Sequence, residues 1–296
     1  VNLIATNDVT YNGAGFNLSA TALTVAAGND ILFNTTGSIQ AATLDLNATR
    51  DLVIAGSGSL TVASNNALTL AGGRNVAVTA NGALTLSSPS QTTVRALTGN
   101  VSLRSGQGSG TFLNGPRTNL SAGANITLTQ SDLVQNTGGA VNLAAGNDVS
   151  LLSTASGGLL VNLASLNVTA AQDFVGNASN GNFALTTGGD LKLDAGRNLD
   201  IRSTASTTVV SNSGSTTLRA QNIQIATGAD ARVRGAAGVS VNATVSDFTL
   251  NAGTNALEIS SSAGEVRADA ARDINLQARS SLTLSSPVKT TVKAAR

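Results

Sequence analysis

The chain has 296 residues, of which 41% are hydrophobic, 2% aromatic and 11% charged, and its net charge is only +1. It contains no Cys and no His, which excludes disulfides, zinc–thiolate sites, thiol nucleophiles and the usual Ser-His-Asp and Cys-His relays. The small net charge and the scarcity of aromatic side chains give no support for nucleic-acid binding.

A short pattern recurs along the whole chain: a small residue, any residue, Asn or Asp, and then an apolar residue. The eleven steps from Asp8 to Asp273 average about 24 residues, and a fixed period of this length indicates stacked structural units. We call the repeated Asn or Asp the anchor. The anchors are Asp8, Asp30, Asp51, Asn75, Asn100, Asn125, Asp148, Asp173, Asn198, Asn222, Asp247 and Asp273.

Apolar residues alternate with other residues after each anchor, which is typical of a strand with one buried face. The position after the anchor is apolar in all twelve repeats, and two positions further on only Gly176 lacks a large apolar side chain. A second strand precedes each anchor, as at Leu68 and Leu70. A third strand follows it nine to thirteen residues later, as at Leu84 and Leu86.

Three short strands per repeat predict an all-β fold, a right-handed parallel β-helix of about twelve coils whose stacking buries a continuous core. We expect the anchor at a corner with left-handed backbone, where its side chain bonds neighbouring backbone groups. The small residue two places earlier fits the same corner. It is glycine at Gly28, Gly73, Gly123, Gly146 and Gly196.

The unbroken repeat predicts one β-helical domain over residues 1–296. The segments Ala83–Ala96 and Ser281–Ala294 are near copies 198 residues apart, as are Asn75 and Asp273, which supports the register. No apolar run approaches the length of a membrane-spanning helix. Both ends lie inside strand patterns without a cap, so we interpret the chain as a piece of a longer protein.

The densest acidic cluster comprises Asp190, Asp194 and Asp200. We expect Asp190 to pair with Lys192, and Asp194 with Arg197, on the surface. A catalytic groove is not expected, because no coil carries an insertion long enough to wall one. The sequence therefore predicts no enzyme activity and no catalytic, cofactor-binding or metal-binding residue.

Basic residues concentrate near the carboxyl end, where residues 201–296 carry ten Lys and Arg against six Asp and Glu. Arg219, Arg232 and Arg234 are the candidates for contact with an anionic glycan, but scattered solvated arginines explain them more simply. The glycine-rich stretch Gly106–Gly110 lacks the spacing of a phosphate-binding loop, and we expect a flexible corner there.

The A-G-x-[ND]-φ-x-φ pattern and the G-x-L-T-L strands, both present between Ala26 and Leu86, resemble the repeat region of filamentous-haemagglutinin-type exoproteins. The resemblance covers essentially the full chain. It implies a large bacterial protein exported by two-partner secretion, whose repeats form a right-handed β-helical shaft. The Asn-Pro motifs of the family's secretion domain are absent here, and no functional residue carries over.

On this basis we expect the structural shaft of a secreted surface exoprotein that projects an adhesive or toxic element. Its expected partners are an outer-membrane transporter during export and a receptor or glycan on a target cell, and we expect a monomeric rod located outside the cell. One alternative is direct adhesion along the rod, which an exposed aromatic or Arg row would favour. The other is a carbohydrate-active enzyme, which three or more converging carboxylates would favour.

Overall fold

The computed structural model describes residues 2–64, 67–80, 84–87, 91–105, 111–114, 117–130, 133–153 and 158–295. These residues form thirty β-strands. No helix of a length and apolarity suited to crossing a bilayer occurs among them. The chain divides into two compact units, residues 1–146 and 147–296, and each is a parallel β-solenoid.

The first unit contains thirteen strands. They are β1 (Asn2–Ala5), β2 (Val9–Ala27), β3 (Ile31–Ala48), β4 (Leu52–Ser64), β5 (Ala67–Gly72), β6 (Val76–Ala80), β7 (Leu84–Ser87), β8 (Gln91–Ala96), β9 (Val101–Arg104), β10 (Thr111–Asn114), β11 (Arg117–Ala122), β12 (Ile126–Gln130) and β13 (Leu133–Ala145).

The second unit contains seventeen strands. They are β14 (Val149–Ser153), β15 (Gly158–Ala170), β16 (Phe174–Ala178), β17 (Asn182–Thr187), β18 (Leu191–Ala195), β19 (Asn198–Ser203), β20 (Thr207–Ser211), β21 (Ser215–Ala220), β22 (Asn222–Thr227), β23 (Ala231–Gly235), β24 (Gly238–Ala243), β25 (Phe248–Ala252), β26 (Leu257–Ser261), β27 (Val266–Ala270), β28 (Ile274–Ala278), β29 (Leu282–Ser285) and β30 (Thr290–Ala294).

The long strand β15 runs through two parallel sheets, and from β16 onward each turn of the second unit contributes one strand to each of three parallel sheets. We call them sheet A, which follows the anchor, then sheet B, and then sheet C, which leads to the next anchor. The strands β19, β20 and β21 of one turn pair with β22, β23 and β24 of the next. Three strands per turn, predicted from the apolar alternation, are therefore confirmed here.

The first unit begins with strands that continue through the corners. The strand β2 extends through all three sheets of its turn and pairs with β3 along most of its length, with a register shift between Ala14 and Phe16. Further along, sheets A, B and C are separate strands, as in β6, β7 and β8. A corner made of small residues lets the backbone keep pairing while it bends.

The pairing register confirms the period. In sheet A the residue after each anchor pairs with the residue after the next anchor, as Val76 does with Leu52 and Val101, and Leu199 with Phe174 and Ile223. Six anchors in each unit thus delimit five complete turns per unit. The parallel β-solenoid with a spacing of about 24 residues is the fold predicted from the sequence.

The core of each unit is a stack of the predicted inward residues. Leu70, for example, has no exposed surface and lies between Leu46 and Val94 of the adjoining turns. Gly176, the exception in the sequence pattern, has a packing reason: a Cβ there would come within 2.5 Å of the Phe183 ring. The fully buried Phe183 ring fills the space that a larger residue 176 would occupy.

The strands β28 and β29 bury their apolar residues less completely than the strands they pair with, β25 and β26. Each pairs along one edge with an earlier strand of the described chain, and Leu282 keeps 50% of its surface exposed. Inward residues are therefore buried by the turns on both sides of them rather than by their own turn.

We predict that Leu70→Asp destabilises the chain by at least about 4 kcal/mol, because an unpaired carboxylate would be buried between two turns. Leu128→Asp, also in the core, is expected to behave in the same way. Ala71→Asp is the matched control, since Ala71 is on the outer face of the same strand beside Arg95. Chemical denaturation followed by circular dichroism measures the difference, and equal midpoints for the two β5 variants would contradict the core assignment.

Candidate functional site

The anchors make the most regular polar contacts of the first unit. Oδ1 of each of the first five anchors accepts a hydrogen bond from the backbone N–H of the anchor one turn further on. The N···Oδ1 distances are 3.1 Å for Asp30 to Asp8, 3.0 Å for Asp51 to Asp30, 3.1 Å for Asn75 to Asp51, 2.9 Å for Asn100 to Asn75 and 3.0 Å for Asn125 to Asn100. The predicted bond between the anchor side chain and neighbouring backbone is thus confirmed.

A second bond closes each of these corners. The anchor's carbonyl oxygen accepts the N–H of the first sheet A residue in the preceding turn, as between Val76 and Asn100 at 2.9 Å. Two hydrogen bonds therefore join consecutive turns at a point where the strand ladder is interrupted. Corner amides that would otherwise need water are satisfied within the protein.

The second unit repeats this bond at three of its corners. The N···Oδ1 distances are 3.1 Å for Asp173 to Asp148, 3.1 Å for Asn198 to Asp173 and 3.2 Å for Asp273 to Asp247. The N–H of Asn222 instead donates to the carbonyl oxygen of Arg197, at 3.0 Å. Backbone replaces the side chain as acceptor at that corner.

Close approach of the preceding turn explains the glycines two residues before the anchors. A Cβ on Gly73 would lie 1.9 Å from the carbonyl oxygen of Thr49, and one on Gly196 would lie 1.9 Å from that of Ala171. Neither glycine has a left-handed φ. The corner therefore selects glycine for lack of space rather than for backbone freedom.

The sequence pattern did not identify two further sets of corner contacts in the second unit. Before sheet B, Asn182 Oδ1 accepts the N–H of Ser206 at 2.9 Å, and Asp230 Oδ1 accepts that of Ala256 at 3.0 Å. Before sheet C, Asp190 Oδ1 accepts the N–H of Ser215 at 2.8 Å. The polar residues Asn182, Ser206 and Asp230 recur at a spacing of 24 residues where the sheet B strands begin, and this was the available signal.

The pairings predicted for the acidic cluster are wrong. Lys192 lies 3.7 Å from Asp194, because alternate residues of β18 share one face. Arg197 instead reaches the anchor Asp173 of the preceding turn, at 3.1 Å. Asp190 accepts the N–H of Ser215 at its corner.

The three acids of the cluster do not converge. Asp194 is on β18 in sheet C, and Asp200 is on β19 in sheet A, where Arg202 pairs with it at 2.8 Å. Asp190 precedes β18 at the corner. Among the described residues, no group of three or more Asp and Glu side chains is arranged to hold a metal ion.

The three arginines singled out in the sequence occupy two sheets. Arg232 and Arg234 are on β23 in sheet B and both pair with Glu258 of the next turn, at 2.9 and 3.5 Å. Arg219 is on β21 in sheet C. The predicted stretch Gly106–Gly110 lies outside the described residues, so its expected flexibility stays a prediction.

Aromatic side chains do not form an exposed row among the residues whose side chains are described. Phe33, Phe174, Phe183 and Phe248 are buried. The Tyr11 ring is half-buried, with its centroid 6.5 Å from that of Phe33. The feature that would favour adhesion through stacked rings is absent from this part of the chain.

Two carboxyl groups have shifted pKa values for opposite reasons. Partial burial raises the pKa of Asp45, which lies on the outer face of sheet C between Thr24 and Thr69. Partial burial also acts to raise the pKa of Glu258. Hydrogen bonds from Ser260 and Arg232 and the charges of Arg234 and Arg232 outweigh this effect and together hold the pKa of that carboxyl below its ordinary value.

Comparisons with known proteins identify no relative. No protein-family model, no curated protein and no solved structure matches the chain. The resemblance to filamentous-haemagglutinin-type repeats therefore stays a prediction.

We predict that Asp51→Ala lowers the free energy of unfolding by about 2 kcal/mol, because the N–H and side-chain amide of Asn75, at 3.1 and 2.9 Å, lose their shared acceptor. Asp51→Asn keeps an acceptor oxygen and should recover most of the loss. Asn47→Ala, an exposed Asn on sheet C, is the control. Urea denaturation tests the order of the three variants, and equal effects of Asp51→Ala and Asn47→Ala would rule out the anchor role.

We predict that Asp45→Asn raises the melting temperature by about 1–2 °C at pH 7 and leaves it unchanged at pH 3. Because folding raises the pKa of Asp45, this residue contributes its full stabilisation below the pKa of the unfolded state. That contribution is lost as the pH rises through the pKa of the folded state. An uncharged amide avoids that loss. Differential scanning calorimetry at the two pH values checks the prediction, and an equal gain at pH 3 would refute it.

Proposed function

We propose that this chain is the structural shaft of a large secreted bacterial surface exoprotein that projects a distal adhesive or toxic element from the cell. The observation that carries the proposal is the ladder of turns in each unit. Turns pair with their neighbours through three sheets, and anchor bonds join consecutive turns at eight corners. The resemblance of the repeats to filamentous-haemagglutinin-type exoproteins supports the same role.

The ladder of hydrogen bonds gives each solenoid the resistance to extension that a shaft needs. Hydrogen bonds between turns run along the solenoid axis, and a pull along that axis is shared by all three sheets of a turn. One turn separates from the next only when its ladder bonds and corner bonds break together. A solenoid of this kind therefore resists extension without any disulfide, in a chain that has no Cys.

Export fits the same architecture. A chain without Cys cannot form a disulfide that would block its passage, unfolded, through an outer-membrane transporter. Each turn needs only the preceding turn as a template, so folding proceeds from one turn to the next as the chain emerges. In this proposal the chain is a monomer located outside the cell. It presents its distal element to a receptor or glycan on another cell.

The test compares two deletions in cells that make the protein. Deleting residues 173–197 removes one whole turn and joins Gln172 to Asn198, which preserves the pairing register. Deleting residues 173–185 removes half a turn and destroys that register. Surface display of a carboxyl-terminal epitope on intact cells is the measurement, with loss of the epitope after protease treatment as the check on location.

A shaft predicts that the whole-turn deletion keeps display within about twofold of the parent chain, because each turn contacts only its neighbours. The half-turn deletion should reduce display by about tenfold or more. Equal loss in both deletions would contradict a purely structural role for the turns. Epitope found only inside the cells would overturn the surface location.

A further inference from the structure

The corner from sheet B to sheet C is shorter at residues 236–238 than in the two adjoining turns. Three residues lie between Gly235 and Val239, whereas four lie between the residues paired with them in each adjoining turn, 211 to 216 and 261 to 266. The shorter corner also lacks bulk, since Gly235, Ala236, Ala237 and Gly238 have no atom beyond Cβ. A short, bare corner between two longer ones forms a notch in the surface.

Two surface depressions meet at this notch. The first lies over Gly235 and Ala236, between Asn212 of the preceding turn and Ser262 of the following turn, with Arg234 at its end. The second lies over Ala237 and Gly238, between Ser215 and Thr217 on one side and Glu265 and Arg267 on the other. We call the two together the corner groove.

The floor of the corner groove is fixed by backbone bonds. The N–H of Ala236 donates to Ser211 at 3.1 Å, and the N–H of Ala237 donates to Gly214 at 2.9 Å. The carbonyl oxygen of Ala236 accepts the N–H of Ala263 at 2.8 Å. Gly235 permits the tight turn, because a Cβ there would lie 2.0 Å from the carbonyl oxygen of Gly238.

The walls of the corner groove carry several hydrogen-bonding side chains. Asn212 supplies an amide, Thr217 and Ser240 supply hydroxyls, and Arg267 supplies guanidinium donors. Glu265 is exposed, and its carboxylate makes no hydrogen bond or ion pair with the described residues. It is therefore free to accept hydrogen bonds from a ligand.

Charges of both signs lie at the corner groove. Arg232 and Arg234 share Glu258, and Arg267 pairs with Asp269 of its own strand. Glu265 adds a further carboxylate, and the exposed Lys289 follows it in the next turn, where the Lys289 carbonyl oxygen accepts the N–H of Val266. A neutral molecule rich in hydroxyl groups would therefore find both donors and acceptors without meeting a patch of one sign.

We propose that the corner groove binds a neutral oligosaccharide. The two walls stand two turn spacings apart, about 10 Å, which accommodates a single sugar chain laid along the corner. Hydroxyls of the sugar donate to Glu265 and accept from Arg267 and Asn212. The proposal depends only on side chains of the second unit and is independent of the shaft role.

Saturation-transfer difference NMR on the 296-residue chain tests the proposal, with maltotriose, cellotriose and chitotriose as probes and trigalacturonate as the acidic comparison. We expect saturation transfer to at least one neutral probe. Ala237→Leu fills the groove and should weaken that binding by about tenfold or more. Glu265→Gln removes the charged acceptor and should weaken it by about fivefold.

Ala271→Leu is the matched control, since Ala271 is an exposed alanine at a different corner, and it should leave binding within about twofold. Circular dichroism melts confirm that each variant is folded before its affinity is compared. No transfer to any neutral probe, binding of trigalacturonate alone, or equal losses in Ala237→Leu and Ala271→Leu would each overturn the proposal.

Discussion

The bond from a corner N–H to the anchor of the preceding turn is the interaction on which this structure depends. Strand amides find partners in the sheets, but a chain that bends three times per turn also has corner amides, which are costly to leave without partners. A short Asn or Asp side chain supplies an acceptor at the exact spacing of the turns. Asp51 and Asn75 show the geometry, at 3.1 Å. The repeat of about 24 residues can then continue with few charged and aromatic residues.

Stacking charged anchors of the same sign on one another costs electrostatic energy, and neighbouring arginines or an Asn in place of Asp reduce that cost. Asp8, Asp30 and Asp51 follow one another in three consecutive turns, and identical charges one turn apart repel. Arg50 lies 3.9 Å from Asp30, and Arg197 lies 3.1 Å from Asp173. Asn replaces Asp at other anchors and keeps the acceptor without the charge. The corner groove is different in kind, because it arises where one corner is shorter than the corners of the two adjoining turns.

The regular part of this structure was predictable from the sequence, and the irregular part was not. Period and alternation predicted the sheets, the core positions such as Leu70 and the anchor bonds, because each depends on a residue type that recurs at every turn. The partners of Lys192 and Arg197 were predicted wrongly, since long side chains choose between residues of the same strand and of the next turn. The corner groove depends on a corner one residue shorter than its two neighbours and on four residues with little or no side chain, and a pattern defined by recurrence does not report such differences between adjoining turns.

Amide hydrogen exchange of the anchors, followed by NMR in the ¹⁵N-labelled chain, tests the central claim most directly. If the anchor bonds hold the corners, the N–H groups of Asp51, Asn75 and Asn100 will exchange as slowly as amides in the middle of neighbouring strands, although they lie at bends near the surface. Exchange as fast as that of solvent-exposed turn amides would contradict the account, because the corners would then open independently of the sheets.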